Sequence, residues 1–243
     1  KFDFWIALAA PQLNSKFRLY DSTNMFFRSH FNFIFPLRNY LFSSIINITM
    51  AYKIFIDGKE GTTGLKIFER FANRNDIELI TIDEDKRKDS AERAKMINES
   101  DFTFLCLPDA AAIESAALCT NPKTVIIDAS TAHRTNDSWA YGFPELDKCF
   151  REKIEKSNRI AVPGCYASGT IAILYPLVKS QIMPKDYPVC VHAVSGYSGA
   201  GKKAIAQYED SSRNPELSSP RLYALSQNHK HLPEIKKISG IDF

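Results

Sequence analysis

The apolar residues from residue 50 onward alternate between short continuous runs and longer segments with helical spacing. The runs are rich in β-branched and aromatic residues, as buried strands are; they are Ala51–Asp57, Ile77–Ile82, Phe102–Leu107 and Thr124–Asp128. The helical segments between them are Thr62–Asn73, Ser90–Asn98 (with Ser90 as a candidate N-cap) and Ala110–Cys119. Strands of about six residues alternating with helices of about ten predict βαβ units and a parallel sheet.

These units predict an α/β fold, a doubly wound parallel sheet of the Rossmann type over residues 50–163, whose ligands bind at the carboxyl ends of the strands. A further strand over Arg159–Pro163 precedes an apolar helix over Thr170–Lys179. We interpret residues 164–243 as a partial α+β substrate and catalytic domain. It is expected to hold a strand over Tyr187–Ser195 and a helix over Pro233–Ser239.

Residues 1–49 differ from the rest of the chain. They contain nine Phe and no Gly, and they show no sustained helical or strand period. An organellar transit peptide and an extension upstream of a start at Met50 both fit such a segment, which is acid-poor beyond Met25. We expect the segment to lie outside the fold, so its deletion should leave residues 50–243 unchanged.

The net charge of +3 comes from residues 1–49, which hold five basic and two acidic residues and leave 26 of each sign in residues 50–243. The folded part therefore has no overall field that would recruit nucleic acid. No run of 18 apolar residues predicts a membrane span. The five cysteines form no C-x-x-C pair, so free thiols in a reducing, cytoplasmic compartment fit better than a disulfide framework or a zinc site.

A glycine-rich turn follows the first predicted strand, with the spacing G-x-x-G-x-x-G at Gly58, Gly61 and Gly64. Such a turn lets the backbone approach a pyrophosphate and directs helix N–H groups at it, while Thr62 and Thr63 add hydroxyl donors. A turn without a ligand can have the same pattern. Its position between the first strand and the first helix favours dinucleotide binding.

Charged residues of both signs follow the second strand. Residues 83–85 are acidic and could hold the ribose of NAD, whereas Lys86, Arg87 and Lys88 could accept the 2′-phosphate of NADP. A solvated charged loop is the alternative. We favour NADP(H), because three adjacent cations can offset a dianionic phosphate.

Cys165 lies where a predicted strand turns into a helix, between Gly164 and the small residues Ala167, Ser168 and Gly169. The free N–H groups and the macrodipole at a helix N-terminus favour a thiolate and stabilise negative charge on a substrate oxygen. A cysteine is usually a small buried hydrophobe. The position of Cys165 instead indicates a nucleophile.

Two histidines, His229 and His231, follow this cysteine by 64 and 66 residues. A thiol nucleophile needs a proton-transfer partner, so one histidine is expected to act while the other orients it. A structural histidine is the alternative for each of them. Both precede Glu234, which makes an idle pair less common.

The segment Ser195–Lys202 is rich in glycine and serine and leads into a helix. A loop of this kind can approach a nicotinamide or a phosphate closely. We therefore expect Ser195, Gly196, Ser198 and Gly199 to bind the cofactor. A flexible surface loop is the alternative.

Seven motifs occur in one order along the chain: DGKEGTTGL (57–65), CLPD (106–109), DASTAHR (128–134), YGFPEL (141–146), PGCYASG (163–169), SGYSGAGK (195–202) and HKHLPE (229–234). Together they resemble the short bacterial form of N-acetyl-γ-glutamyl-phosphate reductase, a member of the semialdehyde dehydrogenase superfamily. The resemblance covers residues 50–243. It departs at Ser168, where the family more often has Thr, and family members continue past the position of Phe243.

The resemblance implies NADPH-dependent reduction of an acyl phosphate, N-acetylglutamyl 5-phosphate, to its semialdehyde in arginine biosynthesis. It implies Cys165 as the nucleophile and the pair His229 and His231 as the acid–base groups. It also implies a homo-oligomer when the chain is full length. The chain ending at Phe243 is then expected to fold its first four strands and to be poorly active until it is extended.

Three other functions remain open from the sequence. The first is a related enzyme, such as an aspartate-semialdehyde or glyceraldehyde-phosphate dehydrogenase. The second is a Cys–His hydrolase, which needs no nicotinamide. The third is an inactive fragment that binds nucleotide only.

Overall fold

The computed structural model of the protein describes residues 51–243, so the expectations for residues 1–49 lie outside the described residues. The strands are β1 (Tyr52–Asp57), β2 (Ile77–Ile80), β3 (Phe102–Leu105), β4 (Val125–Asp128), β5 (Ala140–Tyr141) and β6 (Arg159–Ala161). The helices are α1 (Thr62–Phe71), α2 (Ser90–Glu99), α3 (Asp109–Ala117), α4 (Lys148–Lys156), α5 (Cys165–Lys179), α6 (Lys202–Glu209) and α7 (His231–Ser239). Short 3₁₀ turns occupy Tyr197–Ala200 and Pro215–Ser218.

The described strands form one six-stranded sheet in the order β2-β1-β3-β4-β6-β5. All neighbouring strands run parallel, with Ile54 of β1 opposite Phe102 of β3. The chain moves outward from β1 to β2 and then crosses to the other side of β1, so the strand order reverses between β1 and β3. This topology confirms the predicted doubly wound α/β fold and marks the edge at which such sheets bind ligands.

Helices cover both faces of this sheet. Ile54 and Ile56 join the apolar side chains of α1 and α4 in one cluster, while Phe55 between them joins those of α2 and α3 in another. All three side chains are buried. Because successive strand residues point to opposite faces, a sheet covered on both sides needs continuous apolar runs, and these are the runs that the sequence displays.

The start of α2 differs from the sequence expectation. Its N-cap is Asp89, not Ser90, since the Asp89 carboxylate accepts hydrogen bonds from the N–H groups of Ala91 (2.8 Å) and Glu92 (3.2 Å). An aspartate caps as well as a serine does and adds a charge that suits the positive end of the helix. Ser90 is the first helical residue instead.

Residues 164–243 contribute helices and turns among the described residues, and the expected strand over residues 187–195 is not formed. A strand needs a neighbouring strand to satisfy its N–H and C=O groups, and no described strand lies beside this segment. Helices α5 and α7 instead pack together, and Ile171 and Ile235 form a cluster around Tyr141 of the sheet. Helix α7 begins two residues before the predicted Pro233 and ends at Gly240, whose φ is +76°.

Residues 51–243 lack two kinds of feature. No helix there combines the length and the apolar character that crossing a bilayer requires. No group of three His, Cys, Asp or Glu side chains is placed to hold a metal ion.

A buried ion pair fixes the end of β1. The Asp57 carboxylate accepts hydrogen bonds from Nε (3.1 Å) and Nη2 (3.0 Å) of Arg93 and from the hydroxyl of Ser115. Both charged side chains are less than a tenth exposed. Since Asp57 directly precedes the glycine-rich turn, this pair ties the turn to α2 and α3.

Arg93→Ala is expected to lower the free energy of unfolding by about 3 kcal/mol, because it leaves the Asp57 carboxylate buried without its counter-charge. The matched control is Glu114→Gln, since Glu114 lies 3.8 Å from Arg93 and its side chain is 60% exposed. That variant should lose less than about 1 kcal/mol. Chemical denaturation of both variants measures the difference, and equal losses would contradict the role given to the buried pair.

Candidate active site

The glycine-rich turn at the end of β1 is held in a conformation that only glycines permit. Gly58 has a φ of +84°, and a Cβ there would lie 2.5 Å from the carbonyl oxygen of Cys106. The N–H of Gly61 donates to the carbonyl of Gly58 at 2.9 Å, and a Cβ on Gly64 would lie 2.3 Å from that same carbonyl. The turn therefore closes tightly, and α1 begins directly after it at Thr62, with Thr63 exposed beside it.

A cleft separates this turn from the segment that follows β2. Its walls include Gly58 and Lys59 from the turn, Ile80 at the end of β2, and the cations Arg87 and Lys88. The structure thus brings the first predicted cofactor glycine and two of the three predicted cations to one cavity. The cavity lies beside β1, next to the point where the strand order reverses.

The cations of this loop are not free of partners. Lys86 lies 3.9 Å from Asp83, and Arg87 lies 3.9 Å from Glu84. The Lys86 and Arg87 side chains are about half exposed, so these pairs are weak and solvent-screened. An anion entering the cleft would compete with carboxylates that hold their cations only loosely.

Cys165 is the first residue of α5 and its side chain is exposed. The N–H of Ser168 donates to the carbonyl of Gly164 at 2.8 Å, which starts the helical hydrogen bonds. The N–H groups before it belong to the helix N-terminus, where no intrahelical acceptor exists. The thiol and these donors therefore share one end of the helix.

His231 packs against the residue that precedes the cysteine. A Cβ on Gly164 would lie 2.4 Å from Nε2 of His231 and 2.6 Å from Nη1 of Arg134. The imidazole is 6% exposed. Its Nδ1 is the one buried side-chain nitrogen or oxygen in the described part of the chain without a hydrogen-bond partner.

His229 is held at both ring nitrogens. Its Nδ1 accepts the N–H of His231 at 3.1 Å, and its Nε2 lies 2.8 Å from the hydroxyl of Tyr223. Because Nδ1 accepts, the proton of the neutral ring is on Nε2, which donates to Tyr223. The ring of Tyr166 lies beside both histidines, with centroids 6.0 Å from His229 and 5.8 Å from His231.

The surroundings keep both imidazoles neutral. Burial, with the charges of Arg134, His229 and Lys230, lowers the pKa of His231 to about 3. Burial and Lys230 also lower the pKa of His229, although the Glu234 carboxylate opposes them. Each ring is therefore uncharged near neutral pH and can accept a proton when a negative group approaches it.

Three further residues, Arg134, Tyr141 and Glu234, belong to the site, and the sequence alone assigned them no role. The carboxylate of Glu234 is 1% exposed and accepts hydrogen bonds from the N–H of Gly164 (2.8 Å), the hydroxyl of Tyr141 (2.7 Å) and Nη1 of Arg134 (3.3 Å). Each group is distant in sequence from Glu234. The available signal was a carboxylate three residues after His231, which puts both on one side of a helix.

The loop expected to bind the cofactor is bonded to itself and packs on α6. The hydroxyl of Ser195 donates to the carbonyl of Gly196, and the N–H of Gly199 donates to that same carbonyl. Tyr197, which precedes Ser198, stacks on Tyr208 of α6. These contacts hold the loop to itself and to α6, and its role at the cofactor stays a prediction.

Cys106 illustrates a cysteine unsuited to attack. Burial, with the charges of Asp128 and Asp57, raises the pKa of its thiol to about 12. It packs at the edge of the sheet core and lies against the Gly58 turn. These surroundings suit a structural role for Cys106.

Two family models match the chain. The semialdehyde dehydrogenase NAD-binding domain matches residues 58–157, and the semialdehyde dehydrogenase dimerisation domain matches residues 165–241. The first includes the glycine-rich turn and the cleft. The second begins at Cys165 and includes both histidines.

Several curated relatives are N-acetyl-γ-glutamyl-phosphate reductases. N-acetyl-γ-glutamyl-phosphate reductase 2 of Pseudomonas putida is 48% identical over 190 residues, which are 77% of this chain and 60% of that protein. The N-acetyl-γ-glutamyl-phosphate reductase of Sinorhizobium medicae is 49% identical over 189 residues, 77% of this chain and 61% of that protein. The chain thus spans about 60% of the length of these relatives.

Solved structures share the fold at low identity. Aspartate semialdehyde dehydrogenase II of Vibrio cholerae superposes with a TM-score of 0.51 at 15% identity, covering 78% of this chain and 67% of that one. The parallel sheet, the two matched domain models and the relatives at 48–49% identity agree with one another. This chain belongs to the semialdehyde dehydrogenase family, and the curated relatives described above are N-acetyl-γ-glutamyl-phosphate reductases.

Proposed function

We propose that the protein reduces N-acetylglutamyl 5-phosphate to N-acetylglutamate 5-semialdehyde with NADPH, through a thioester on Cys165. One observation carries the proposal: an exposed thiol at a helix N-terminus stands directly after a glycine against which a neutral, buried histidine is packed. The names of the relatives supply the substrate. The geometry supports the class of chemistry.

The Cys165 thiolate attacks the acyl carbon of the substrate. A carbon–sulfur bond forms, the bond to the phosphate oxygen breaks, and inorganic phosphate leaves. The N-terminal N–H groups of α5 stabilise the oxyanion of this step. The N–H of Gly164 is not among them, because it donates to Glu234.

His231 transfers the proton and His229 orients it. Both ring nitrogens of His229 are engaged, whereas Nδ1 of His231 has no partner. A neutral His231 accepts the thiol proton at the start and returns a proton to the oxygen of the reduced adduct. A dianionic phosphate beside the ring raises the pKa of His231 toward the working range.

Bound NADPH would supply the hydride; reduction of the Cys165 thioester would give a thiohemiacetal, which releases the semialdehyde and restores the thiolate. The residues of the described chain fit this cofactor. The Gly58–Gly64 turn admits a pyrophosphate close to the backbone, and the adjoining cleft is lined by Arg87 and Lys88. Ser195, Gly196, Ser198 and Gly199 are proposed to bind the nicotinamide side.

We also propose a cytoplasmic homo-oligomer. Five free cysteines suit a reducing compartment. The matched dimerisation domain and the exposed apolar side chains in its region, among them Tyr187, Val191 and Leu222, support association between copies.

The reverse reaction tests the proposal in the natural protein that carries this sequence. Phosphate-dependent reduction of NADP⁺ should proceed with N-acetylglutamate semialdehyde and at least about 100-fold more slowly with aspartate semialdehyde or glyceraldehyde 3-phosphate. A preference for either of these would assign the protein to a related dehydrogenase. Hydrolysis without any nicotinamide would indicate a Cys–His hydrolase.

Cys165→Ser should reduce turnover by about 10³-fold or more and leave cofactor affinity unchanged, because a hydroxyl is a far weaker nucleophile than a thiolate. The matched control is Cys149→Ser, an exposed cysteine on α4, which should keep the wild-type rate. Steady-state rates and NADPH titrations make the comparison. A near-normal rate in the Cys165 variant would exclude the thioester.

Replacing Lys86, Arg87 and Lys88 together by Gln should weaken NADPH binding about tenfold or more and NADH binding less than about threefold, because the phosphorylated ribose alone needs the cations. Fluorescence titration with each cofactor measures the two constants. Lys148→Gln, an exposed cation on α4, should change neither. Equal weakening for both cofactors would remove this cluster from the 2′-phosphate site.

Gly164→Ala should cost about 1–3 kcal/mol of stability and most of the activity, because the new methyl group overlaps His231 and Arg134, which are both buried. Gly240→Ala is the control. It introduces backbone strain of about 1 kcal/mol at a φ of +76° but an ordinary contact of 3.7 Å. If both variants kept full activity, the contact between Gly164 and His231 would have no catalytic importance.

A further inference from the structure

We infer that Glu234 is a positioning residue, whose buried charge fixes the Gly164 turn and Arg134 beside the nucleophile. It contacts neither the thiol nor, in the mechanism proposed above, the reacting atoms. The inference deepens the proposed function and rests on it for its kinetic test. Its placement can be tested without turnover.

The buried charge of Glu234 is balanced by Arg134. A carboxylate that is 1% exposed needs a nearby cation, and Arg134 provides it at 3.3 Å. Arg134 in turn donates to the carbonyls of Val162 (2.8 Å) and Ala129 (3.1 Å), at the ends of β6 and β4. Glu234 thereby connects α7 to two strand ends of the sheet.

Glu234 also holds the Gly164 turn, which directly precedes Cys165. One oxygen of Glu234, Oε1, accepts both the N–H of Gly164 and the hydroxyl of Tyr141. Burial and the Glu234 charge raise the pKa of Tyr141, so its hydroxyl remains a donor. Gly164 is the N-cap of α5, and a shift of this oxygen would move the start of the helix that carries Cys165.

Glu234 also shares a helix with His231. His231 and Glu234 are three residues apart in the first turn of α7, and both are buried. Side chains at this spacing share one side of a helix. The hydrogen bonds of Glu234 therefore also set where the His231 ring meets Gly164.

Glu234→Gln tests the inference, since it keeps the size of the side chain and removes its charge opposite Arg134. The first readout is alkylation by iodoacetamide at neutral pH, measured by peptide mass spectrometry as the rate at Cys165 relative to the exposed Cys149 of the same chain. We expect this ratio to change at least threefold. Asp242→Asn removes an exposed carboxylate paired with Lys236 of the same helix and should leave the ratio unchanged.

The second readout is kinetic. Glu234→Gln should lower kcat at least about tenfold and leave KM for NADP⁺ within about twofold, because small displacements of reacting groups cost rate and the Gly58 turn is a separate region. A ratio within threefold of wild type, an unchanged kcat, or a parallel loss in KM for NADP⁺ would each overturn the inference. If the Glu234→Gln protein does not fold, Tyr141→Phe replaces it, since that variant removes one hydrogen-bond donor to Glu234. The same alkylation ratio is then measured, and a change of less than twofold would overturn the inference.

The two proposals fail in different ways. A wild-type protein that oxidises none of the semialdehydes would refute the proposed function, while the alkylation ratio would still report on Glu234. An active wild type with an unaltered Glu234→Gln variant would refute the positioning role alone.

Discussion

The parallel direction of every strand in the sheet is the constraint on which the site depends. Parallel strands deliver all their carboxyl ends to one edge, so the segments after β1, β4 and β6 leave the sheet on the same side. Those segments carry the Gly58 turn, Arg134 and Cys165. Residues far apart in sequence are therefore neighbours before any specific side-chain contact is made.

Buried charge then gives this edge a fixed geometry. Asp57 with Arg93 holds the end of β1, and Glu234 with Arg134 joins α7 to the ends of β4 and β6. A buried pair contributes little net stability compared with apolar packing, but separating its partners is costly. Each pair therefore favours one arrangement of its loops.

Most of the sheet could be predicted from the sequence, because β1 to β4 coincide with continuous apolar runs and the helices between them with segments of helical spacing. The two-residue β5 and the helix α4 were missed, since a pair such as Ala140–Tyr141 has no period of its own. The strand expected over residues 187–195 is not formed, because strand formation depends on a partner that local pattern does not reveal. Capping of α2 by Asp89 rather than Ser90 was undetermined for a simpler reason, since both residues cap well.

The candidate site could likewise be predicted only in part. Gly58, Gly64 and Cys165 could be found from local spacing, because a tight turn and a helix start are local structures. The roles of Arg134, Tyr141 and Glu234 could not, since each depends on a contact across about 70 residues or more with a partner chosen by the fold. Which histidine is held by Tyr223 likewise depends on three-dimensional packing.

The long path between α5 and α7 has a consequence for how the protein matures. The two helices are separated by residues 180–230, most of which are exposed, and closing such a loop grows only slowly more costly with its length. Changes in the length of that stretch therefore cost the fold little as long as α7 still reaches the sheet. The order in which the two helices join the sheet also follows from the path of the chain. The helix that bears Cys165 is adjacent in sequence to the sheet, whereas α7 must return from far away, so the Cys165 thiol can be in place before His231 and Glu234 arrive. Cys165 stays exposed in the folded structure, so docking of α7 adds the His231 ring and the Glu234 carboxylate beside the Gly164 turn and does not cover the thiol.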